Sequence, residues 1–439
     1  MRICNKFFNA NNKCKYSFLI GLLSFCCQIV SSQDLVRVRE TIDSLCSPAM
    51  HGRGYVGLGD RKAGDYIYKQ YQKIGLQPFK SNYYQFFKLS VNTFPNRVAL
   101  QVGGYNLQVG KDFIVNPVAK SGKGRGKIWL FDTLLLRDKN VQTQFLLTNM
   151  QKRIAVLSEQ QFHDILILPK KIIDKLYESK AMIQLMPKKL TASVAQDAVT
   201  NPYFEVAKMR FDSILQTRSP ARPLRAKFKL DAFLDKNYTS QNLIGYLQGT
   251  AEIDTFLVFT AHYDHLGRMG KDCYFPGAND NAAGVAMLLE LAQYFKTHPP
   301  KYSVAFMAFG AEEIGLLGSK YYTEYPLFPL ERIKFLINLD LVGTGDDGAT
   351  VVNGSIYKKQ FNQLLAINEQ KQYLPKINAR SQAANSDHYF FWLNRVPCFF
   401  MYGLGGIKAY HDIYDKPETL PLTRFREIFS LVRDFALSF

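Results

Sequence analysis

The stretch FLVFTAHYDH, residues 256–265, shows a pattern that recurs along this chain, an apolar run followed by ionisable residues. A mostly apolar run from Phe256 to Ala261 ends at a histidine, His262. Two further apolar runs follow at residues 303–309 and 335–339, and a helical pattern fills 282–295 between the first two. Continuous apolar runs are typical of strands that are buried on both faces. The sequence therefore predicts an α/β fold with a mostly parallel or mixed central sheet flanked by helices.

Ionisable side chains follow each of the three runs, where each strand is expected to end. His262 and Asp264 follow the first run, Glu312 and Glu313 the second, and Asp340 the third. The carboxyl ends of strands in an open α/β sheet meet at one edge, which is where ligands bind. We therefore expect these side chains to converge although they are far apart in the sequence.

The residue types at this edge are those that bind metal ions. Imidazole nitrogens and carboxylate oxygens are zinc ligands, and catalytic zinc sites keep one position for water. Asp280 lies in a tight loop that leads into the helical pattern, and its two oxygens allow it to bridge two ions. The adjacent pair Glu312 and Glu313 is easiest to explain if Glu313 binds a cation and Glu312 acts as a general base. Asp264, two residues after His262 on a continuing strand, is expected to orient the imidazole.

Several segments taken together resemble the di-zinc aminopeptidase family. The family includes secreted bacterial leucyl aminopeptidases, glutamate carboxypeptidase, the glutaminyl cyclases and the catalytically silent transferrin receptor. The resemblance covers roughly residues 34–95 and 237–439. The segments that carry it are His262-Tyr263-Asp264, residues 277–284, Glu312-Glu313, Asn338-Leu339-Asp340 and Tyr410-His411.

The resemblance implies a role for each matching residue. Two Zn²⁺ ions are expected, one held by His262 and Asp340, the other by Glu313 and His411, with Asp280 bridging them. Glu312 would be the general base, Asp264 the acid behind His262, and the Tyr410 hydroxyl a donor to the oxyanion of the tetrahedral intermediate. The family also commonly has a cis peptide bond after the bridging aspartate, which here is the bond from Asp280 to Asn281.

Three ionisable residues near these motifs are not expected to bind metal, because the five-ligand set is complete without them. Asp387 and His388 are predicted to brace the loop before Pro397 or to line the substrate cleft. For His265 a structural role and a role at the site remain open.

A middle stretch, residues 96–235, shows short alternating runs such as 98–102 and 128–131. It is predicted to be a β-rich inserted domain and loosely resembles the protease-associated domain found in many members of the family. Within it, a loop rich in Gly and Lys is predicted at residues 120–127. Its only histidine, His163, is interpreted as a surface or core residue rather than a ligand.

The insertion divides the predicted zinc peptidase catalytic domain into residues 33–95 and 236–439. The first of these parts is expected to contain two amphipathic helices around a Gly-rich turn at residues 52–59, with Gly75 ending the second helix.

The amino-terminal residues 1–32 are predicted to be a secretory signal peptide, because cations without an acid precede an apolar run from Phe18 to Val30. That run is shorter than the roughly 20 residues of a membrane-spanning helix, although an uncleaved anchor is an alternative. The protein is therefore expected in the periplasm or outside the cell. Cys46, Cys273 and Cys398 remain after the signal peptide, and their spacing matches no metal site. These three cysteines are expected either to form one disulfide and leave one free thiol, or to be buried and unpaired.

The formal net charge of +18 favours acidic surfaces or acidic peptides as partners, but no nucleic-acid-binding fold accompanies it. The function predicted from the sequence is hydrolysis of amino-terminal residues from peptides. A carboxypeptidase and a glutaminyl cyclase are enzymatic alternatives. A receptor-like relative without catalysis is the alternative of another class, and it would be expected to lack ligands or the base.

Overall fold

The computed structural model describes residues 33–219 and 221–439. The signal peptide predicted for residues 1–32 lies outside the described residues. The strands, in chain order, are β1 (Gln77–Pro78), β2 (Tyr84–Thr93), β3 (Val98–Val102), β4 (Tyr105–Leu107), β5 (Phe113–Val115), β6 (Gly122–Leu130), β7 (Arg153–Ser158), β8 (Ala181–Met186), β9 (Tyr203–Ala207), β10 (Arg225–Leu230), β11 (Phe233–Leu247), β12 (Glu252–His262), β13 (Tyr302–Phe309), β14 (Ile333–Leu339), β15 (Gly348–Val352), β16 (Ile377–Arg380) and β17 (Cys398–Leu404).

The α-helices lie between and after these strands. They are α1 (Leu35–Cys46), α2 (Gly59–Ile74), α3 (Lys139–Leu146), α4 (Glu159–Asp164), α5 (Lys170–Tyr177), α6 (Lys208–Thr217), α7 (Ala283–Thr297), α8 (Leu317–Glu324), α9 (Lys358–Lys371), α10 (His388–Leu393) and α11 (Phe425–Leu437). Among the described residues, no helix combines the length and apolar character needed to span a membrane.

The larger sheet has nine strands and contains the three apolar runs at its centre. Strand β12 lies between β13 and β14 and is parallel to both, and β14 is parallel to β17. Strands β11 and β15 join this parallel centre in the antiparallel direction. The predicted fold class, a mixed central sheet flanked by helices, is confirmed.

Successive residues of the central strands pack on opposite faces of the sheet, as strand geometry requires. On β12, Leu257 and Phe259 belong to the core formed with helices α1, α2, α7, α9 and α11. Phe256 and Val258 belong to a second core on the other face, with Tyr322 of α8 and Phe391 of α10. Helices therefore cover both faces of the sheet, which explains why the sequence of β12 is continuously apolar.

The two helices predicted near the amino terminus are present as α1 and α2. Asp34 caps α1, because its side chain accepts a hydrogen bond from the Val36 amide at 2.9 Å. Gly75 ends α2 with a φ of 80°, a left-handed conformation that favours glycine. The Gly-rich turn between the helices contains a 3₁₀ segment, Pro48–Arg53.

The smaller sheet has eight strands, all between residues 98 and 230. Strands β6, β7, β8 and β9 run parallel to one another, and β10 pairs antiparallel with β6 and β3. Helices α3 to α6 lie in the same part of the chain. The insertion boundaries at residues 96 and 235 stay a prediction.

The loop predicted at residues 120–127 is wrong, because β6 begins at Gly122. Glycine and cationic residues alternate there, so the glycines face the core while the cations face outward. A methyl group on Gly124 would lie 3.3 Å from the Phe228 ring of the neighbouring strand. The glycines therefore make room for the Phe228 ring, whereas from the sequence alone they were predicted to be turn residues.

Candidate functional site

Five side chains from distant segments meet at the carboxyl edge of the larger sheet. Nε2 of His262 lies 3.3 Å from Oδ1 of Asp280 and 3.3 Å from Oδ1 of Asp340. Nε2 of His411 lies 3.0 Å from Oδ2 of Asp280 and 3.1 Å from Oε2 of Glu313. The Asp280 carboxylate thus directs one oxygen to each histidine and stands between the two pairs.

The strand order of the sheet explains this convergence. His262 is the last residue of β12, and Asp340 directly follows the adjacent strand β14. Glu313 follows β13, the strand on the other side of β12, and His411 lies in the loop after β17. The four strands are parallel, so all four side chains reach the same edge of the sheet.

The loop before α7 brings Asp280 to this edge. The buried Asp415 carboxylate accepts hydrogen bonds from the amides of Asn279, at 2.9 and 3.1 Å, and Asp280, at 3.0 Å. The Asn281 side chain donates to the carbonyl of Leu339 at 2.9 Å, which joins the loop to the end of β14. The peptide bond between Asp280 and Asn281 is cis, as predicted.

A buried arginine, Arg53, holds the same loop from the other side. Its side chain is fully inaccessible to solvent and makes no ion pair within the described residues. Instead its guanidinium donates to five main-chain carbonyls, those of Leu45 at 3.2 Å, Tyr263 at 2.8 Å, Pro276 at 2.6 Å, Gly277 at 2.7 Å and Asp280 at 3.1 Å. Arg53 therefore connects the turn after α1 to the segments that carry His262 and Asp280.

The contacts of the Asp264 carboxylate differ from the predicted ones. Its carboxylate oxygen lies 3.9 Å from Nδ1 of His262, too far for a hydrogen bond. The Asp264 main-chain carbonyl contacts Nδ1 instead, at 3.2 Å. The carboxylate accepts hydrogen bonds from the amides of Glu312 at 3.0 Å and Glu313 at 3.3 Å. The prediction that this carboxylate orients the imidazole is corrected, because the carboxylate holds the glutamate pair and the backbone holds the imidazole.

Glu312 and Tyr410 line the cleft beside the five converging side chains. Burial raises the pKa of the Glu312 carboxyl well above its usual value; His262 opposes this rise, and Glu313 and Asp340 add to it. Burial and the nearby carboxylates also raise the pKa of Tyr410, whose ring stacks on that of His411 with centroids 4.0 Å apart. The phenol consequently stays protonated and can donate a hydrogen bond.

The three residues left outside the predicted ligand set are all buried near the site. His265 places Nδ1 at 2.6 Å from Oε1 of Glu313, so a second imidazole contacts that carboxylate. Burial raises the pKa of Asp387 to about 7 and lowers the pKa of His388 to about 3. The preceding residue, Ser386, donates to Oδ2 of Asp340 at 2.9 Å.

A segment between β8 and β9 of the smaller sheet holds the loop that carries His411. The Ala192 carbonyl contacts Nδ1 of His411 at 3.1 Å, and the Ala192 amide donates to the His411 carbonyl at 2.9 Å. Lys189 donates to the carbonyls of Lys408 at 3.1 Å and Tyr410 at 2.9 Å, and forms an ion pair with Asp412 at 3.2 Å. The orientation of His411 therefore depends on residues within the stretch 96–235.

The donor set fits divalent cations. Ligand atoms of His262, Asp280 and Asp340 lie within 4.8 Å of one another, and so do those of His265, Asp280 and Glu313. Oδ1 of Asp340 is buried, and its described polar partner is Nε2 of His262 at 3.3 Å. The carboxylates of this cluster form their described ion pairs with histidines alone, so no Lys or Arg balances them. Nitrogen and oxygen donors of this kind suit zinc.

The cluster opens into a cleft of about 390 Å³. Besides the converging residues and Glu312, the cleft is lined by uncharged side chains, among them Leu316, Asn385, Phe400 and Tyr402. Its volume lies in the range of small-molecule sites.

The comparison with protein families identifies the part of the chain that contains the site. One family model matches residues 242–436, which include His262, Asp280, Glu313, Asp340 and His411. The model is that of peptidase family M28. The resemblance to di-zinc aminopeptidases predicted from the sequence is confirmed.

Curated relatives match part of the chain. Aminopeptidase YwaD of Bacillus subtilis (strain 168) is 31% identical over 236 residues, which are 52% of this chain and 46% of YwaD. A probable zinc metalloprotease of Pyrenophora tritici-repentis is 36% identical over 112 residues, 25% of this chain and 26% of that protein. The chain thus spans less than half the length of the curated relatives it matches.

Solved structures resemble most of the chain. BSAP, a zinc aminopeptidase from Bacillus subtilis, matches with a TM-score of 0.68 and 21% identity, covering 92% of this chain and 94% of that one. An aminopeptidase from Aneurinibacillus sp. strain AM-1 matches with a TM-score of 0.60 and 20% identity, covering 93% and 94%. At this level of identity the likeness shows the fold.

Two residues that build the site, Arg53 and Asp415, were not predicted from the sequence. An arginine between two glycines, Gly52 and Gly54, was a signal of close backbone approach that could have indicated Arg53. Asp415 carries no pattern of its own beyond lying four residues after His411.

Replacing Arg53 by Met is expected to destabilise the protein by at least about 3 kcal/mol, because several buried carbonyls lose their donor at about 1–3 kcal/mol each. Urea denaturation measures the loss. The control is Arg61→Met, because among the described residues the Arg61 guanidinium donates to a single main-chain carbonyl, that of Thr239, at 3.0 and 3.3 Å. Equal losses in the two variants would contradict the role assigned to Arg53.

Proposed function

We propose that this chain is an exported zinc metallopeptidase that removes amino-terminal residues from peptides. The observation that carries the proposal is the Asp280 carboxylate, whose two oxygens lie 3.3 Å from His262 and 3.0 Å from His411. A carboxylate shared in this way is suited to bridging two cations, and Glu312 lies beside it in the cleft.

Two Zn²⁺ ions are proposed as the cofactors. His262 and Asp340 would hold one, Glu313 and His411 the other, and Asp280 would bridge them. We assign His411 rather than His265 to the second ion because Nε2 of His411 lies close to both Asp280 and Glu313. His265 then orients Glu313 through its contact at 2.6 Å. When bound, the ions supply Lewis acidity, which lowers the pKa of a water molecule and polarises the scissile carbonyl.

The side chains around this pair would carry the proton transfers. Glu312 accepts a proton from the attacking water and returns it to the leaving amine, and its burial raises its affinity for that proton. Asp264 positions Glu312 by accepting the Glu312 amide hydrogen bond. The Tyr410 hydroxyl donates to the oxygen on which negative charge develops.

The lining of the cleft favours a free amino terminus over a free carboxyl terminus. No Lys or Arg is among the described residues that line it, so no protein cation is available there to pair with a terminal carboxylate. Several carboxylates face the cleft instead and attract a protonated amine. The ligand set and Glu312 are all present, which argues against a receptor-like relative, and five ligands argue against a cyclase that works with one metal.

Two further parts of the proposal concern the rest of the chain. The pattern of residues 1–32 supports export through a signal peptide, so the enzyme would act in the periplasm or outside the cell. Residues 96–235 would form a protease-associated-like inserted domain between two parts of the catalytic domain. Its contribution to the site is the support that Lys189 and Ala192 give to the His411 loop.

Replacing Glu312 by Gln is expected to lower kcat by about 10²- to 10⁴-fold, because the amide cannot accept the proton of the water. The zinc content should be unchanged, since Glu312 is not assigned as a ligand. Steady-state kinetics with an aminoacyl arylamide and metal analysis provide the two readouts. The matched control is Glu324→Gln at the end of α8, which should keep full activity. A Glu312→Gln variant with near-normal kcat would remove Glu312 from the role of base.

Acetylating the amino terminus of a short peptide is expected to lower kcat/KM by at least about 10²-fold, because the amine then loses its charge and its attraction to the cleft carboxylates. Amidation of the carboxyl terminus of the same peptide should change the rate little. Chromatography of the cleavage products measures both effects. The reverse order of sensitivity would indicate a carboxypeptidase, and ring closure of an amino-terminal glutamine without hydrolysis would indicate a cyclase.

A further inference from the structure

The smaller sheet carries a dense group of cations on its solvent face, away from the catalytic cleft. Their side chains alternate with glycines on β6 and with apolar residues on β10, so they all point outward while the intervening residues face the core. We call this group the cationic face. It comprises Lys123, Arg125, Lys127, Arg225, Lys227 and Lys229.

The register of β6 and β10 places these cations directly opposite one another. Lys123 pairs with Lys229, Arg125 with Lys227, and Lys127 with Arg225. Like charges opposite each other on neighbouring strands are destabilising, by roughly 0.2–1 kcal/mol for each pair. The core needs only the residues in between, such as Phe228, so packing does not require the cations.

Acidic side chains do little to neutralise the cationic face. Within the part of the chain that the structure describes, Lys229 alone among the six forms an ion pair, with Asp231 at 3.8 Å. Asp231 also accepts a hydrogen bond from the Arg97 amide at 3.1 Å. The other five cations have neither an ion pair nor a side-chain hydrogen bond among the described residues, so their charge is available to a partner.

A groove of about 710 Å³ crosses the cationic face. Four of the six cations line it together with Arg97, one acidic residue, Asp272, and uncharged residues that include Ala99, Gln101 and Gln108. A second hollow of about 410 Å³ shares Arg97, Lys229 and Asp272 with the groove and extends to Lys271. The face is thus concave and elongated, which suits a chain-like ligand better than a flat surface.

The spacing of the cations matches one class of chain. Residues two apart on a strand are about 6.8 Å apart, so cations repeat at that distance along β6 and β10. Side chains on one face of an extended peptide repeat at the same distance. An extended peptide with acidic residues at alternate positions can therefore direct every carboxylate to a cation.

We propose that the cationic face and its groove bind acidic polypeptide segments in an extended conformation, with carboxylates at alternate positions. This binding is separate from the catalytic cleft and does not require hydrolysis. The unneutralised charge makes association dependent on ionic strength, because exposed charges are screened by salt.

The test measures binding of the full chain to two fluorescently labelled octapeptides by fluorescence anisotropy. The label is attached to the amino terminus, where it also blocks cleavage by an aminopeptidase. One peptide alternates Glu and Thr, and the other has the same composition as Glu-Glu-Thr-Thr repeats, which directs only half of its carboxylates to one face. We expect the alternating peptide to bind at least about fivefold more tightly, with affinity falling between about 50 and about 300 mM NaCl.

The variant Arg125→Glu/Lys227→Glu replaces one opposed pair of cations at the centre of the cationic face by two carboxylates and should weaken binding of the acidic peptide at least about tenfold. The matched control, Lys358→Glu/Lys359→Glu, makes the same change in net charge at the exposed start of α9 and should keep the affinity of the unmodified chain. The single variant Arg125→Glu places opposite charges across the strands. It should weaken binding while raising Tm, which a structural role for Arg125 would not produce.

Three results would overturn the proposal. The first is equal loss of affinity in the double variant and the α9 control, which would reduce the effect to net charge. The second is equal affinity for the two peptides, which would remove the spacing argument. The third is tighter binding to oligogalacturonate or to vesicles containing phosphatidylglycerol than to the alternating peptide, which would assign the cationic face to a different class of partner.

Discussion

The Asp280 carboxylate, shared between His262 and His411, is the interaction on which the rest of the site depends. Burial disfavours its ionised form, yet hydrogen bonds from the two histidines hold its pKa well below the usual value. Asp264, Asp340 and Asp387 are buried around it without a Lys or Arg partner among the described residues. Removing several carboxylates from water is costly unless cations compensate them. The histidines offset part of this negative charge, and we propose that a pair of divalent cations offsets the rest.

The backbone around Asp280 is built to hold that carboxylate in place. The Asp415 carboxylate accepts hydrogen bonds from main-chain amides of the Asp280 loop, and the Arg53 guanidinium donates hydrogen bonds to main-chain carbonyls of the same loop. The Asn281 side chain joins the loop to the end of β14 through a further hydrogen bond. Each contact joins the loop to a different part of the fold. The position of the central ligand therefore depends on the packing of α1, the end of the sheet and the loop after β17 together.

The parts predicted correctly from the sequence are those with a periodic or positional signal. Buried parallel strands have continuous apolar sequences, and their ends share an edge, so the convergence of His262, Glu313 and Asp340 followed from the order of the runs. The parts that failed depend on the backbone. The Asp264 carboxylate accepts hydrogen bonds from main-chain amides instead of contacting the imidazole. Strand β6 was predicted to be a loop because its sequence is rich in glycine, but these glycines are needed for packing against Phe228. Arg53 and Ala192 act through main-chain carbonyls, which no residue pattern reveals.

The central claim is that the five side chains hold two zinc ions around Asp280, and metal stoichiometry measures it most directly. The chain would be stripped with a chelator, titrated with zinc and analysed by calorimetry, beside the variant Asp280→Ala. We expect two equivalents of zinc for the unmodified chain and a marked loss of affinity at both positions in the variant, since both ions share the missing carboxylate. Binding of no zinc by the unmodified chain, or unchanged binding of both ions by Asp280→Ala, would contradict this account.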